Sequence, residues 1–201
     1  MRRLVYVARH GETDWNAAGR WQGHTDVPLN DRGRAQAKAM AALLRGARLA
    51  GVVASDLSRA HETASIVATE LGIPLVYGDR DLRERGFGVF EGRTRAECEL
   101  QHAEAWRAWL DHRKPPEGGE AIEALTARVV AAVGRAAERV ARDGEPALVV
   151  THGGALRSVV ASVTGELPPL VENGAVWVLA WEGRLVGAAP LEDGPPVTVV
   201  K

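Results

Sequence analysis

A chain of 201 residues, 46% of them hydrophobic, is long enough for one well-buried domain, and the usual span of roughly 100–200 residues per domain gives no reason to add a second. Lys and Arg number 25 against 26 Asp and Glu, with no long basic run and no basic residues interleaved with aromatics. Neither nucleic acid nor an anionic membrane is therefore an expected partner, and any anion site must be local.

Cys98 stands alone, which excludes an intrachain disulfide framework and a thiolate-rich metal cluster within one chain. A structural role for Cys98 and a cytoplasmic location fit that usage. The N-terminal apolar stretch is cut at Arg9, too short for a secretory segment or a membrane span, and no later stretch is long enough to cross a bilayer.

In chain order, "RLVYVA" (3–8) is a continuous apolar run suited to a strand covered on both faces, and a polar loop follows. Asn30 and Asp31 can cap a helix in which Ala37, Met40, Ala41 and Leu44 keep i, i+3, i+4, i+7 spacing, closed by Gly46. "GVVAS" (51–55) reads as a second strand. A second helix runs from Ser58 through Ala60, Ala64, Val67 and Leu71 to Gly72, and "IPLVY" (73–77) begins a third strand. Residues 94–111 read as one helix. Ile122, Leu125, Val129, Val133, Ala136 and Val140 mark a long amphipathic helix, "ALVVT" (147–151) a fourth strand, and "GGALRSVVASVTG" (153–165) a last helix. "AVWVLAW" and "RLVGAA" form a terminal hairpin that turns at Glu182-Gly183. The Pro/Gly-rich tail from Pro190 is expected on the surface or docked on the body or a partner.

Strands alternating with helices imply an α/β fold: a three-layer α/β/α sandwich with a mostly parallel sheet and an antiparallel edge strand from the hairpin, as one domain over 1–201. That edge leaves a homodimer open.

In such sheets the ligand crevice lies outside the carboxyl ends of the strands. Three strands end alike: the first in Arg9-His10-Gly11, the second in Ser55 with Arg59 soon after, the fourth in Thr151-His152-Gly153-Gly154. Two imidazoles and two guanidiniums could meet at one edge. Guanidiniums grip phosphate oxygens bidentately and helix N-termini add N–H donors, so phosphoryl transfer suits the cluster. His10 is the natural nucleophile, and Gly11 and Gly153 would let the backbone approach the anion. Taken singly, each residue has a plainer reading: His10 a satisfied core histidine, Arg59 a surface arginine, His152 a turn residue, Glu84 in "LRERGFGVFEG" a solvated loop charge. Their joint placement changes that balance. His24, His61, His102 and His112 repeat no metal-ligand spacing and read as surface or supporting residues, and the tryptophans read as core and pocket wall.

The ordered motifs "ARHGETDWN", "RWQGHTDVPLNDRGRAQA", "SDLSRAHETA", "LRERGFGVFEG", "THGG" and "ENGAVWVL" resemble the histidine phosphatase superfamily, with its phosphoglycerate-mutase-like fold, over nearly the whole chain. The resemblance implies that His10 becomes phosphorylated, that Arg9, Arg59, His152 and Asn16 hold the phosphate, and that Glu84 donates the proton; the expected cycle has His152 protonated while the dianion is bound. Gln22 and Gly23 would line the substrate pocket, with Glu12 and Thr13 in the same loop and Gly153 beside the anion. Phe90 stands where many members have tryptophan, and Gly174-Ala175 replaces a small-Ser pair; both departures are expected at the pocket wall. The short "FGVFEGRTRAE" segment resembles the phosphatase branch. The implied activity is hydrolysis of small-molecule phosphomonoesters without metal or other cofactor, ahead of a mutase and of a non-catalytic phospholigand-binding scaffold. The natural substrate cannot be read from these motifs.

Overall fold

The computed structural model describes residues 2–112 and 114–192. Its elements run β1 (Arg3–Arg9), α1 (Asp14–Ala17), α2 (Asp31–Leu44), β2 (Gly51–Ala54), α3 (Ser58–Leu71), β3 (Leu75–Gly78), α4 (Arg95–Gln101), α5 (Ala103–His112), α6 (Ile122–Arg139), β4 (Ala147–Thr151), α7 (Gly153–Thr164), β5 (Val176–Trp181) and β6 (Leu185–Pro190). Six strands form one sheet in the order β3-β2-β4-β1-β5-β6. β3, β2, β4 and β1 pair in parallel, and β5 joins β1 antiparallel, with β6 outside it.

Side-chain alternation along the central strand divides the core into two layers. Val5 and Val7 face one side, packed with Leu125 and Val129 of α6 and Leu156 and Val159 of α7. Tyr6 and Ala8 face the other, with Met40 and Leu44 of α2 and Ala60, Ala64 and Val67 of α3. All five residues of β4 are buried, which is why that strand reads as an unbroken apolar run rather than an alternating one. The result is the expected α/β/α sandwich.

Local chemistry sets the boundaries. The Asn30 side chain accepts the Gly33 N–H and starts α2, while Gly72, at φ 66°, ends α3 in a conformation that penalises a side chain. The terminal hairpin turns over Glu182–Arg184 with Gly183 at φ 75°.

Three expectations change. Residues 94–111 are two helices, because His102 leaves the helical region at φ −135° and ψ 46°, and α5 starts afresh at Ala103. β3 begins at Leu75, since residues 73 and 74 serve as the exit from α3; there the Ile73 N–H returns to Ala68 O and Pro74 O accepts from Val52. The supposed polar loop after β1 holds the short helix α1, nucleated by a capping box between Thr13 and Asn16. The tail expectation falls, from residue 193 onward, outside the described residues. Among the described residues no helix is long and apolar enough to cross a membrane.

Candidate active site

The order β2-β4-β1 places the ends of three strands side by side. Arg9 is in register with Thr151, so His10 and His152 emerge next to each other, and their rings lie 5.0 Å apart at 65°. The His10 N–H donates to Thr151 O at 2.9 Å, and the Ser55 N–H to Val150 O at 2.9 Å, so the sheet ladder itself fixes this edge. Arg59 comes from the first turn of α3 and is fully buried. Glu84 arrives from the loop between β3 and α4.

The hydrogen bonds decide the state of each ring. His10 Nδ1 lies 2.6 Å from Gly11 O, an acceptor only, so Nδ1 carries the proton and Nε2 keeps a lone pair. Burial, with Arg59 and Arg9 adding to it, holds the His10 pKa well below 6.5, so the ring is neutral at physiological pH. Arg59 Nε donates to His152 Nδ1 at 3.2 Å, and His152 Nε2–H in turn faces Ser55 Oγ at 2.9 Å. Since Arg59 can only donate, His152 must accept on Nδ1 and is neutral here. Burial, then Arg59, His10 and Arg9, keep its pKa well below 6.5. The expected protonated His152 belongs to the dianion complex; without an anion, burial and two guanidiniums disfavour a third cation.

Arg59 donates Nη1 to Thr25 O and Nη2 to Gly23 O, each at 2.9 Å. Burial pulls its pKa down to about 10, which still leaves it charged at neutral pH. Arg9 Nη1 donates to Val171 O at 2.6 Å, while its buried Nε has no hydrogen-bond partner among the described residues. A buried guanidinium N–H without an acceptor is an open demand for one.

Asn16 Oδ1 accepts from the Thr13 N–H, the Thr13 hydroxyl and Asn173 Nδ2 at 3.1–3.2 Å, so the amide is turned with its NH₂ free of those partners. Asn173 Nδ2 also donates to His10 O at 3.0 Å. Sequence reasoning gave Asn173 no role. Its only signal was an Asn-Gly step before a strand, and its value depends on that strand lying against β1.

The Glu84 carboxylate accepts three backbone N–H groups: Arg85 and Ala155 on Oε1 at 2.8 and 3.1 Å, and Gly154 on Oε2 at 2.8 Å. It therefore caps α7 from outside. Glu91, in the same loop, accepts from the His24 and Thr25 N–H groups, the Thr25 hydroxyl and the Phe87 N–H. It pins the segment whose carbonyls hold Arg59.

These side chains open on one cleft of about 380 Å³. Of the expected residues, Arg9, His10, Asn16, Gln22, Gly23, Arg59, Glu84 and Gly153 line it. His152 is fully buried behind Arg59. Thr13 is also fully buried and caps α1, so it acts on Asn16 rather than on the cleft. Gly11 does not border the anion position: a Cβ there would run into the Gly33 backbone, and its N–H donates to Thr63 Oγ1, so it serves the packing of the loop on α2. Glu12 likewise turns to α2, its N–H on Gln36 and its carboxylate on Asn30. Phe90 is fully buried among Cys98, Trp106 and Phe87, behind the wall rather than in it. Gly174 donates its N–H to Arg9 O and Ala175 O accepts the Arg9 N–H, so that pair braces β1. Gln22 is buried with its Oε1 lacking a partner among the described residues. No group of three or more His, Cys, Asp or Glu among the described residues is arranged to hold a metal ion.

Residues 5–184 match the family model of the histidine phosphatase superfamily, branch 1. The chain belongs to that superfamily. It is 43% identical over 159 residues, 77% of its length and 68% of the relative's, to phosphoglycerate mutase-like protein 4 of Arabidopsis thaliana. It is 38% identical over 164 residues, 80% of its length and 68% of the relative's, to a metal-independent phosphoserine phosphatase of the same plant. Among solved structures, a mycobacterial glucosyl-3-phosphoglycerate phosphatase in complex with VO3 superposes with a TM-score of 0.81 at 28% identity, covering 96% of this chain and 98% of that one.

Proposed function

We propose that the chain is a phosphatase that hydrolyses small-molecule phosphomonoesters through a phosphohistidine on His10, without a metal ion. The observation that carries this reading is the pairing of a neutral imidazole, its proton locked on Nδ1 by Gly11 O, with two guanidiniums, Arg9 and Arg59, that line the same cleft and are held by carbonyls rather than carboxylates. The first is a nucleophile with its Nε2 lone pair available, and the second is a pair of positive charges open to an oxyanion.

A phosphate dianion would sit between Arg9 and Arg59, with the Asn16 NH₂ and the Gly153 N–H as further donors, the next two N–H groups of α7 being taken by Glu84. Two guanidiniums supply the charge that a metal supplies in other phosphoryl transfers. His10 Nε2 attacks phosphorus, forming N–P as the ester P–O bond breaks, and Glu84 gives a proton to the departing oxygen. Water then attacks phosphohistidine, N–P breaks, inorganic phosphate leaves, and Glu84 recovers the proton. For that role the Glu84 oxygen nearest the leaving group must exchange its bond to the Gly154 N–H for a proton, a local rearrangement driven by the incoming anion.

Rapid quenching during turnover of ³²P-labelled ester should trap label that is stable in alkali and lost in acid, and His10→Ala should remove both the label and turnover. Release of inorganic phosphate separates a phosphatase from a mutase, which returns the group to its substrate, and from a binding scaffold, which releases none. An undiminished rate in His10→Ala refutes the reading.

A further inference from the structure

Beyond the residues assigned to the phosphate, the cleft has a second set of lining residues of different character. One side is aromatic: Trp21, Phe87 and Trp109 line it, with Trp21 and Phe87 ring centroids 4.6 Å apart and Trp109 5.9 Å from each. These rings are held from behind by Phe90 and Trp106, which are buried. Trp106 and Trp109, three residues apart on one face of α5, divide this work, Trp106 buried and Trp109 partly buried and bordering the cleft. The guanidinium of Arg85 lies 4.4 Å from the Trp109 ring centroid and fixes that ring further.

Aliphatic side chains complete the lining: Ile122 and the buried Leu125 from the start of α6, and Leu167, Leu170 and Val171 from the segment after α7. Leu170 is 83% exposed and Leu167 45%, large apolar side chains left at the mouth of a cleft rather than in the core. Exposed apolar surface gathered at one opening is the mark of a binding surface.

The arginines at this level already have work. Arg20 is paired with Glu97 at 2.7 Å and with Gly92 O, Arg85 Nε donates to Glu120 O, and Arg157 Nε donates to Pro168 O. They brace the walls.

We infer that the site selects phosphomonoesters whose leaving group has an extended apolar or aromatic body, in preference to compact polar ones, and that the Trp21–Phe87–Trp109 wall and Leu170 read that body. The inference rests on the phosphatase reading above. A small polar alcohol would leave this apolar lining wet, whereas an apolar body displaces water from it. That gain is proportional to the area covered.

The test is a series of primary alkyl phosphates from ethyl to hexyl, measured by phosphate release, beside phosphoserine, 3-phosphoglycerate and p-nitrophenyl phosphate. Primary alkoxides in the series differ little in basicity, so the chemistry at phosphorus stays constant while the buried body grows. kcat/KM is expected to rise roughly three- to fourfold per methylene that enters the cleft, and hexyl phosphate to exceed both carboxylate-bearing esters. Leu170→Ser, at a position too exposed to threaten the fold, and Trp109→Ala should each lower the hexyl-to-ethyl ratio. Phosphate release with a flat series, a higher kcat/KM for phosphoserine or 3-phosphoglycerate, or an unchanged ratio in both variants overturns the assignment of the walls and leaves the phosphatase reading standing. Failure to release phosphate from any ester overturns both.

Discussion

Two buried imidazoles held neutral should make this protein lose stability as the solution becomes mildly acidic. In the unfolded chain His10 and His152 titrate near 6.5, whereas in the folded protein burial and the two guanidiniums hold both well below that value. Between those limits the unfolded state binds more protons than the folded one, so unfolding free energy rises with pH and falls on acidification. Above about pH 7.5 both states are neutral and the contribution is flat. From pH 7.5 to 5.5 each histidine costs about 1.4 kcal/mol, and the pair about 2.7 kcal/mol, provided the folded values stay below that window. For a chain of this size that lowers Tm by about 5–11 °C. The assay is urea or thermal unfolding followed by circular dichroism at several pH values in a phosphate-free buffer, since a bound anion would change the balance. His152→Gln should remove about half of the pH dependence between pH 7.5 and 5.5, whatever it does to absolute stability. A wild-type curve that is flat across that interval, or a slope unchanged in the variant, would refute the claim that these rings are neutral by burial beside Arg59 and Arg9.

Glu84→Gln removes the proposed acid and turns one acceptor of three backbone N–H groups into a donor facing them. kcat/KM on alkyl phosphates should fall by about 10²–10⁴ and on p-nitrophenyl phosphate by clearly less, because nitrophenolate leaves without a proton; equal losses would assign Glu84 to capping α7 alone. Asn173→Ala deletes donors to His10 O and Asn16 Oδ1. At about 0.5–1.5 kcal/mol per bond, kcat/KM should fall about 5- to 150-fold and vanadate affinity should weaken with it. Unchanged vanadate affinity in a destabilised variant would leave Asn173 a purely structural bond.

The strand ends were legible because each carries its polar residues directly after an apolar run: Arg9-His10 after β1 and Thr151-His152 after β4. Topology then did the rest, since a parallel sheet puts successive carboxyl ends along one edge. What periodicity cannot express is which strands are neighbours. Asn173 and Val171 touch the site only because β5 lies antiparallel to β1, and that pairing leaves no trace in local spacing. The role of Gly11 was misread for a related reason. A glycine beside a catalytic residue suggests close approach to a ligand, yet here the approaching backbone is that of Gly33 in α2. The break at His102 was hidden because both halves of residues 94–111 keep helix-forming side chains and only the backbone departs. Glu91 shows the opposite case. Its sequence neighbours make it a substitute acid for Glu84, but Glu84 lines the cleft and Glu91 does not, its oxygens turned to donors from the loop at 24–25 and from Phe87.

That occupation of Glu91 explains how two buried guanidiniums stay available to an anion. Paired directly with carboxylates, Arg9 and Arg59 would be neutralised, and a phosphate would have to break a buried ion pair to bind. Instead Arg59 donates to the carbonyls of Gly23 and Thr25 and to His152 Nδ1, and Arg9 to the carbonyl of Val171. These dipoles hold the guanidiniums without cancelling their charge. Carbonyls can do this only if they are held in place, and Glu91 holds those of the 23–25 segment by taking the N–H groups on its other side, keeping its own negative charge one segment away from Arg59. Burial first, and then that same charge, keeps His10 and His152 neutral, so the nucleophile depends on the desolvation of the site as well as on the guanidiniums that would hold the anion.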